Sequence, residues 1–167
     1  IERSGRWLRV GAGAPAAIET RRFPVPGRVA LDELGLVLDA RVVRASPAYR
    51  FSLSRDTVAF DADRLPASLT VRGRRRGDRF TPFGGPGLRR LKSFLIDAAV
   101  PRWERDRVPL VEADGEIVWV VGLRRGALAP VSAETQRILE VTVHGRSQCV
   151  GSDSARGSGG VPERGVR

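Results

Sequence analysis

The Asp114-Gly115 pair restricts this chain more than any other feature. Two runs rich in apolar and β-branched residues, 108–113 and 116–123, flank it. An Asp-Gly pair between such runs fits a two-residue type I′ turn, in which both central residues need positive φ. The runs are thereby committed to one antiparallel hairpin, and alternation with Ile117 and Val121 places Trp119 on its core face. Upstream, Gly84-Gly85-Pro86-Gly87 forms a flexible loop. Leu88, Leu91, Phe94, Leu95 and Ala98 follow at helical spacing until Pro101 stops the helix. Downstream, Ser132 is placed to cap a short helix through about Leu139, and 140–144 returns as a strand.

Residues 1–69 read differently. Short strand-like runs at 6–10, 17–23, 36–44 and 49–54 are broken by Gly and Pro, and Pro24-Val25-Pro26-Gly27 cannot continue a helix. The pattern predicts an α+β chain with three parts. A β-rich lobe spans 1–69. A basic α+β module spans 70–144, in the order strand, basic loop, helix, hairpin, short helix, strand. A Gly/Ser-rich tail, 145–167, is expected to be disordered. With 167 residues, 41% of them apolar, the chain can fill the core of one ordinary domain or of two small lobes sharing a core. No apolar run approaches the ~20 residues of a membrane span, and 1–9 lacks the pattern of a secretory signal. Without an initial Met, the sequence reads as a segment of a longer protein.

Charge is unevenly spread. Between Thr70 and Arg107 eleven Lys or Arg face four acidic residues, which places +7 of the chain's +10 in under a quarter of its length. A field concentrated in this way attracts a polyanion. Lys92 is the one lysine, so compositional bias explains why the cations are arginines, but it does not explain their clustering. The phosphate-binding candidates are Arg72, Arg74, Arg75, Arg76 and Arg79 in a loop with two glycines, Arg89, Arg90 and Lys92 at the helix, and Arg102 and Arg105 after Pro101. Glycine lets the backbone bend tightly, and a planar guanidinium meets a phosphate through two N–H groups. Gly77 and Asp78 read as residues that shape the loop. Phe94 and Leu95 read as core, and Trp103 as a lid on its own domain or a platform for a base. Glu104 and Asp106 point to internal ion pairs for some of the neighbouring arginines.

Catalytic constellations are missing from the sequence. Cys149 stands alone in the tail, which suits a reducing cytoplasm, and the single histidine, His144, ends a strand. Asp61 and Asp63 alternate along a strand-like run and need no chemical role. Ser158-Gly159-Gly160-Val161 is similar to the start of an SGGxDS phosphate loop, but Pro162-Glu163 replaces its Asp-Ser and no strand precedes it. The residues point to binding phosphate, with no catalytic, cofactor or metal site.

The order RxRRxGDRFxPxGG from Arg72, LKSFLID from Leu91, VPRWERDRVPLV from Val100 and EIVWVVGLR from Glu116 resembles the C-terminal region of tRNA(Ile)-lysidine synthases. VPGRVALDELGLVLDA from Val25 and VAFDADRLPASLTVR from Val58 resemble it more loosely. The resemblance implies an enzyme that uses ATP and Mg to ligate lysine to the wobble cytidine of tRNA(Ile) in the cytoplasm. That chemistry would reside in an N-terminal ATP-pyrophosphatase domain lying outside this sequence. For this segment it implies a layered α+β fold related to part of the phenylalanyl-tRNA synthetase β-subunit, and a role in holding the tRNA body and acceptor arm. Its implied partners are tRNA and its own catalytic domain, with a homodimer left open and no membrane. Two rival readings remain: a stand-alone RNA-binding module that reads shape, and a structural or dimerisation domain whose positive surface is incidental.

Overall fold

The computed structural model describes residues 2–4, 7–9, 17–46, 49 and 54–145. Strands β1 (Glu2–Ser4) and β2 (Trp7–Arg9) pair as a short hairpin. Then come β3 (Arg21–Pro24), β4 (Gly27–Leu31), β5 (Leu36–Arg44), β6 (Thr57–Asp61) and β7 (Ser68–Arg72). The ribbon β8 (Arg79–Phe80) and β9 (Arg89–Arg90) leads into helix α1 (Leu91–Asp97). The chain closes with β10 (Leu110–Ala113), β11 (Glu116–Val120), β12 (Arg124–Arg125) and β13 (Arg137–Gly145). The fold class is α+β, rich in sheet, with α1 the one α-helix among the described residues.

Two antiparallel sheets carry the structure, ordered β12-β11-β10-β7-β3 and β4-β5-β13-β6. Each draws strands from both halves of the chain. β3 and β7 extend the sheet built on the 110–120 hairpin, while β13 pairs along its whole length with β5 and then with β6. The boundary expected near 69/70 falls inside β7. One apolar cluster lies between the two sheets, with Phe23, Leu38, Phe60, Val71, Val111, Trp119 and Leu139 among its buried members. A second cluster, Phe80, Leu91, Leu95, Leu110, Ile117 and Val120, packs α1 and the ribbon against the outer face of the hairpin. All five residues from Ile117 to Val121 are therefore buried, and Ile117 belongs to the second cluster instead of sharing the face of Trp119. Val111 pairs with Trp119 and Glu112 with Ile117, so Val118 is an extra residue in the ladder, and this bulge turns Ile117 to the face opposite Trp119.

The hairpin turns where the sequence requires. Asp114 has φ 48° and Gly115 φ 88°, and Ala113 pairs with Glu116 directly beyond them. Helix α1 is shorter than its apolar spacing suggests: Arg89 and Arg90 are extended, Leu88 is 62% exposed and Ala98 lies beyond the last turn. The helix expected from Ser132 does not form. Ser132 and Thr135 close a single turn through their hydroxyls, and the Thr135 hydroxyl donates to the buried carboxylate of Asp61 at 2.8 Å. From Arg137 the alternating Ile, Leu, Val, Thr and Val pair as a strand along β5, and this long-range pairing overrides the local capping signal. The 17–23 run is strand only over Arg21–Pro24, and most of the 49–54 run lies outside the described residues, as do Cys149 and 158–161. No helix among the described residues is long and apolar enough to cross a membrane.

Gly115 supplies the first test of this architecture. Substitution by Val forces a β-branched residue to positive φ and is expected to cost about 1–3 kcal/mol of stability, read from denaturant unfolding, without altering surface charge. Unchanged stability would exclude the turn geometry.

Candidate nucleic-acid interface

The basic loop after β7 is shaped from inside. Arg72 is 4% exposed and turned into the protein, whereas Arg75 and Arg76 beside it are exposed. Its Nε donates to Glu112 on β10 at 2.6 Å, and its two terminal nitrogens donate to the Asp78 carboxylate at 2.9 and 3.1 Å. Asp78 also accepts the backbone N–H of Arg75 at 2.7 Å, and its own carbonyl accepts the N–H of Leu91 at the start of α1. One fork thus closes the 73–78 loop, ties it to the central sheet and fixes where the helix begins. Gly77, at φ 92°, provides the reversal. A guanidinium among the phosphate-binding candidates is in this way withdrawn from the surface, because two carboxylates occupy it.

The other cations converge. Arg74, Arg75, Arg76 and Arg79 from the loop and ribbon, Arg90 and Lys92 from the helix entrance, and Arg102 and Arg105 from the segment after Pro101 line one open groove of about 1060 Å³. Eight of the ten expected residues therefore meet, with Asp78 and Asp106 the acidic members of the lining. Arg89 does not join them. Alternation along β9 sends it to the opposite side from Arg90, where it lies 5.5 Å from the Phe94 ring centre and donates to Asp97 at 2.5 Å.

Within the groove the cations are not equivalent. Arg74 donates to Asp106 at 3.0 Å, and Arg105 to the carbonyl of Val100 at 2.9 Å, so these two hold the groove walls. Arg75, Arg76, Arg79, Arg90 and Lys92 form no ion pair with another described residue, and all five are exposed. Their charge remains available to a ligand. Cations presented side by side on a rigid ribbon and loop are chemically suited to meet successive phosphates. Phe94 meets Phe80 edge-to-face at 5.0 Å and is a packing residue, as its spacing suggested. No group of His, Cys, Asp and Glu among the described residues is arranged to hold a metal ion.

Sequence reasoning missed a second element beside this groove. Arg125 lies between two rings, 4.5 Å from the centre of Phe60 and 4.6 Å from that of Phe83, and donates to the carbonyls of Ala59, Gly126, Leu128 and Ala129. Burial pushes its pKa down to about 10, which leaves it charged at neutral pH. Gly126, the residue after Arg125, lies directly on β11, where its N–H donates to the Val118 carbonyl at 2.7 Å and a Cβ would meet the carbonyl oxygen of Ile117 at 2.6 Å. Only the Gly-Leu-Arg-Arg run hinted at this cluster.

Comparison with known proteins gives a consistent set of likenesses. The family model described as the TilS substrate C-terminal domain matches residues 69–141. A tRNA(Ile)-lysidine synthase from Symbiobacterium thermophilum is 39% identical over 145 residues, covering 87% of this chain and 30% of that protein. One from Caldanaerobacter subterraneus is 38% identical over 117 residues, covering 70% of this chain and 25% of that protein. The chain thus spans under a third of the length of these relatives. A crystal structure of a TilS C-terminal domain superposes with a TM-score of 0.65 at 33% identity, over 76% of this chain and 98% of that one. An N-terminal fragment of the phenylalanyl-tRNA synthetase β-subunit from Pyrococcus horikoshii aligns more loosely, at 16% identity and a TM-score of 0.42 over 54% of this chain.

The Arg72–Asp78 pair is open to test by pH. Burial disfavours the Asp78 carboxylate, but the Arg72 fork and the Arg75 amide outweigh burial and hold its pKa below the ordinary value. The stabilisation is therefore complete above the unfolded value of about 3.9 and is lost as pH falls through the lower folded value. Asp78→Asn is expected to cost about 1–3 kcal/mol at neutral pH and to weaken the acid dependence of unfolding. A variant as stable as the parent, with the same acid limb, would remove this pair from the account.

Proposed function

This chain belongs to the TilS substrate C-terminal domain family, and on that premise we propose that its basic groove holds the body and acceptor arm of a tRNA for a lysidine-forming enzyme. The observation that carries the reading is the set of five cations, Arg75, Arg76, Arg79, Arg90 and Lys92, left without ion pairs on one groove of a tightly tied scaffold. Ion pairs neutralise an incidental positive surface piecemeal. Here the nearby carboxylates are engaged by other arginines: Asp78 and Glu112 by the buried Arg72, Asp106 by Arg74 at the groove wall, and Asp97 by Arg89 on the opposite side.

The proposed partner is tRNA(Ile), presented to a catalytic domain in the same enzyme. Ligation of lysine to the wobble cytidine, with ATP and Mg, is assigned to that domain, and the proposed compartment is the cytoplasm. This chain's contribution is affinity: phosphate contacts made far from the reacting base lower the KM for tRNA, and they raise kcat only so far as they orient the anticodon.

Replacing Arg76, Arg79 and Arg90 together with Ala is expected to weaken tRNA binding by about 10–100-fold and to flatten the log–log salt dependence by about two to three units. Thermal stability is expected to stay close to that of the parent, because none of the three is paired. An unchanged salt slope in a filter-binding titration would take the groove out of the interface.

A further inference from the structure

Beside the basic groove lies a second hollow of different chemistry. It measures about 470 Å³ and is lined by Thr57, Val58 and Ala59 of β6, by Phe83, and by Leu123 and Val131, with Arg55, Arg124 and Arg125 around it. None of these three arginines pairs with a carboxylate among the described residues, and no Asp or Glu lines the hollow. Arg124 donates to the Phe83 carbonyl at 2.8 Å, and Arg125 donates only to carbonyls, so both guanidinium charges persist. The Phe83 ring is 50% exposed, with the Arg125 guanidinium near it. Its backbone is fixed from both sides, because the Phe83 N–H donates to the Arg125 carbonyl and Pro82 bridges Gly126. A half-exposed aromatic on a fixed backbone, with the Arg125 guanidinium against its ring, apolar side chains beside it and no acid in the lining, matches a planar aromatic ring carrying a phosphate.

The two hollows share one element. Arg79, in the basic groove, and Phe83, in the apolar hollow, are four residues apart on the same ribbon and loop. Their Cα atoms are therefore at most about 14 Å apart, or about four stacked bases. A strand that lies in the groove at Arg79 is therefore long enough to bring its next few nucleotides to Phe83.

We propose that this hollow captures one unpaired nucleotide of the RNA bound in the basic groove, its base stacked on Phe83 and its phosphate met by Arg55 and Arg124. The proposal rests on the RNA-binding reading above and adds to it a preference for single-stranded ends that phosphate contacts alone cannot give. Stacking on an aromatic ring tolerates any base, so the preference is for an unpaired base and not for a sequence.

Two probes of matched phosphate number separate the possibilities: a blunt RNA duplex, and a duplex ending in a short 3′ overhang. The 167-residue chain is expected to bind the overhang about tenfold more tightly than the blunt duplex. Phe83→Ala should abolish this preference and leave blunt-duplex affinity and the salt slope unchanged, while Phe83→Trp should retain it. Equal affinity for the two probes, unaffected by either substitution, would overturn the proposal while leaving the basic groove as an RNA site. A preference for the overhang that Phe83→Ala leaves intact would overturn it in the same way. If neither probe bound the parent chain, the RNA-binding reading itself would fall. Displacement of a Phe-containing acidic peptide, but not of the overhang, from the hollow by Phe83→Ala would assign the hollow to a protein segment and sink the nucleotide proposal.

Discussion

The buried guanidinium of Arg72 is the interaction on which the rest of the basic surface depends. Taking a cation out of water is costly, and the cost is offset only where hydrogen bonds and opposite charge meet it from several directions. Glu112, Asp78 and the carbonyl of Gly73 do so, and each lies on a different part of the structure. The sheet, the far side of the loop and the near side of the loop are thus fixed by one planar group. Lysine could not do this, since a single ammonium lacks the fork that meets the Asp78 carboxylate with two parallel bonds. With the loop closed from within, Arg75 and Arg76 are left with nowhere to turn but outward.

A similar device holds the neighbouring corner with neutral groups. Arg125 gathers carbonyls from β6 and from the 126–129 segment, where the chain leaves one sheet for the other. β6 is the edge of its sheet and the 126–129 segment lies outside the strands, so carbonyls there turn to a side-chain donor, although that of Ala129 also accepts the N–H of Asp61. Arg72 consumes charge to set a loop, while Arg125 satisfies backbone and keeps its charge. The same residue type therefore has opposite effects on the local field, according to whether carboxylates or carbonyls surround it.

Much of the hairpin and of the groove was legible because their signals are local. An Asp-Gly turn needs only its own two residues, and eight of the ten candidate cations lie close in sequence and in space. The remainder depended on partners distant along the chain. Arg72 and Arg74 look alike in sequence, yet Glu112, forty residues on, buries the first, and Asp106 holds the second at the rim. Ser132 carries a good capping signal, but β5 lies where a strand from Arg137 can pair, and nine backbone partners outweigh one cap. Phe83 sat in a Gly-Pro loop with no periodicity, and only the pairing of that loop with 125–127 places it in the lining of a hollow.

Counting charge in the sequence also misjudges where the field is strong. Net charge treats every arginine as one unit, although ion pairs mute Arg72, Arg74 and Arg89, each beside its own carboxylate. What acts on a polyanion is the unpaired remainder together with its geometry: extended ribbon, tight loop and helix entrance facing one groove. These elements are held by buried apolar contacts on their other side, through Phe80, Leu91 and Leu95. Little side-chain ordering of the scaffold is left to be done on binding, so the entropy cost falls on the long cationic side chains alone. Screening then becomes the main control on affinity, because a groove that is open to solvent on one face weakens within a Debye length of about 8 Å at physiological salt. A hollow lined by Val58 and Phe83 is screened much less, since apolar contact does not depend on ionic strength in that way. The two neighbouring sites therefore divide recognition by physical type: salt-sensitive attraction along the backbone of a polyanion, and a salt-tolerant grip on a single ring at its end.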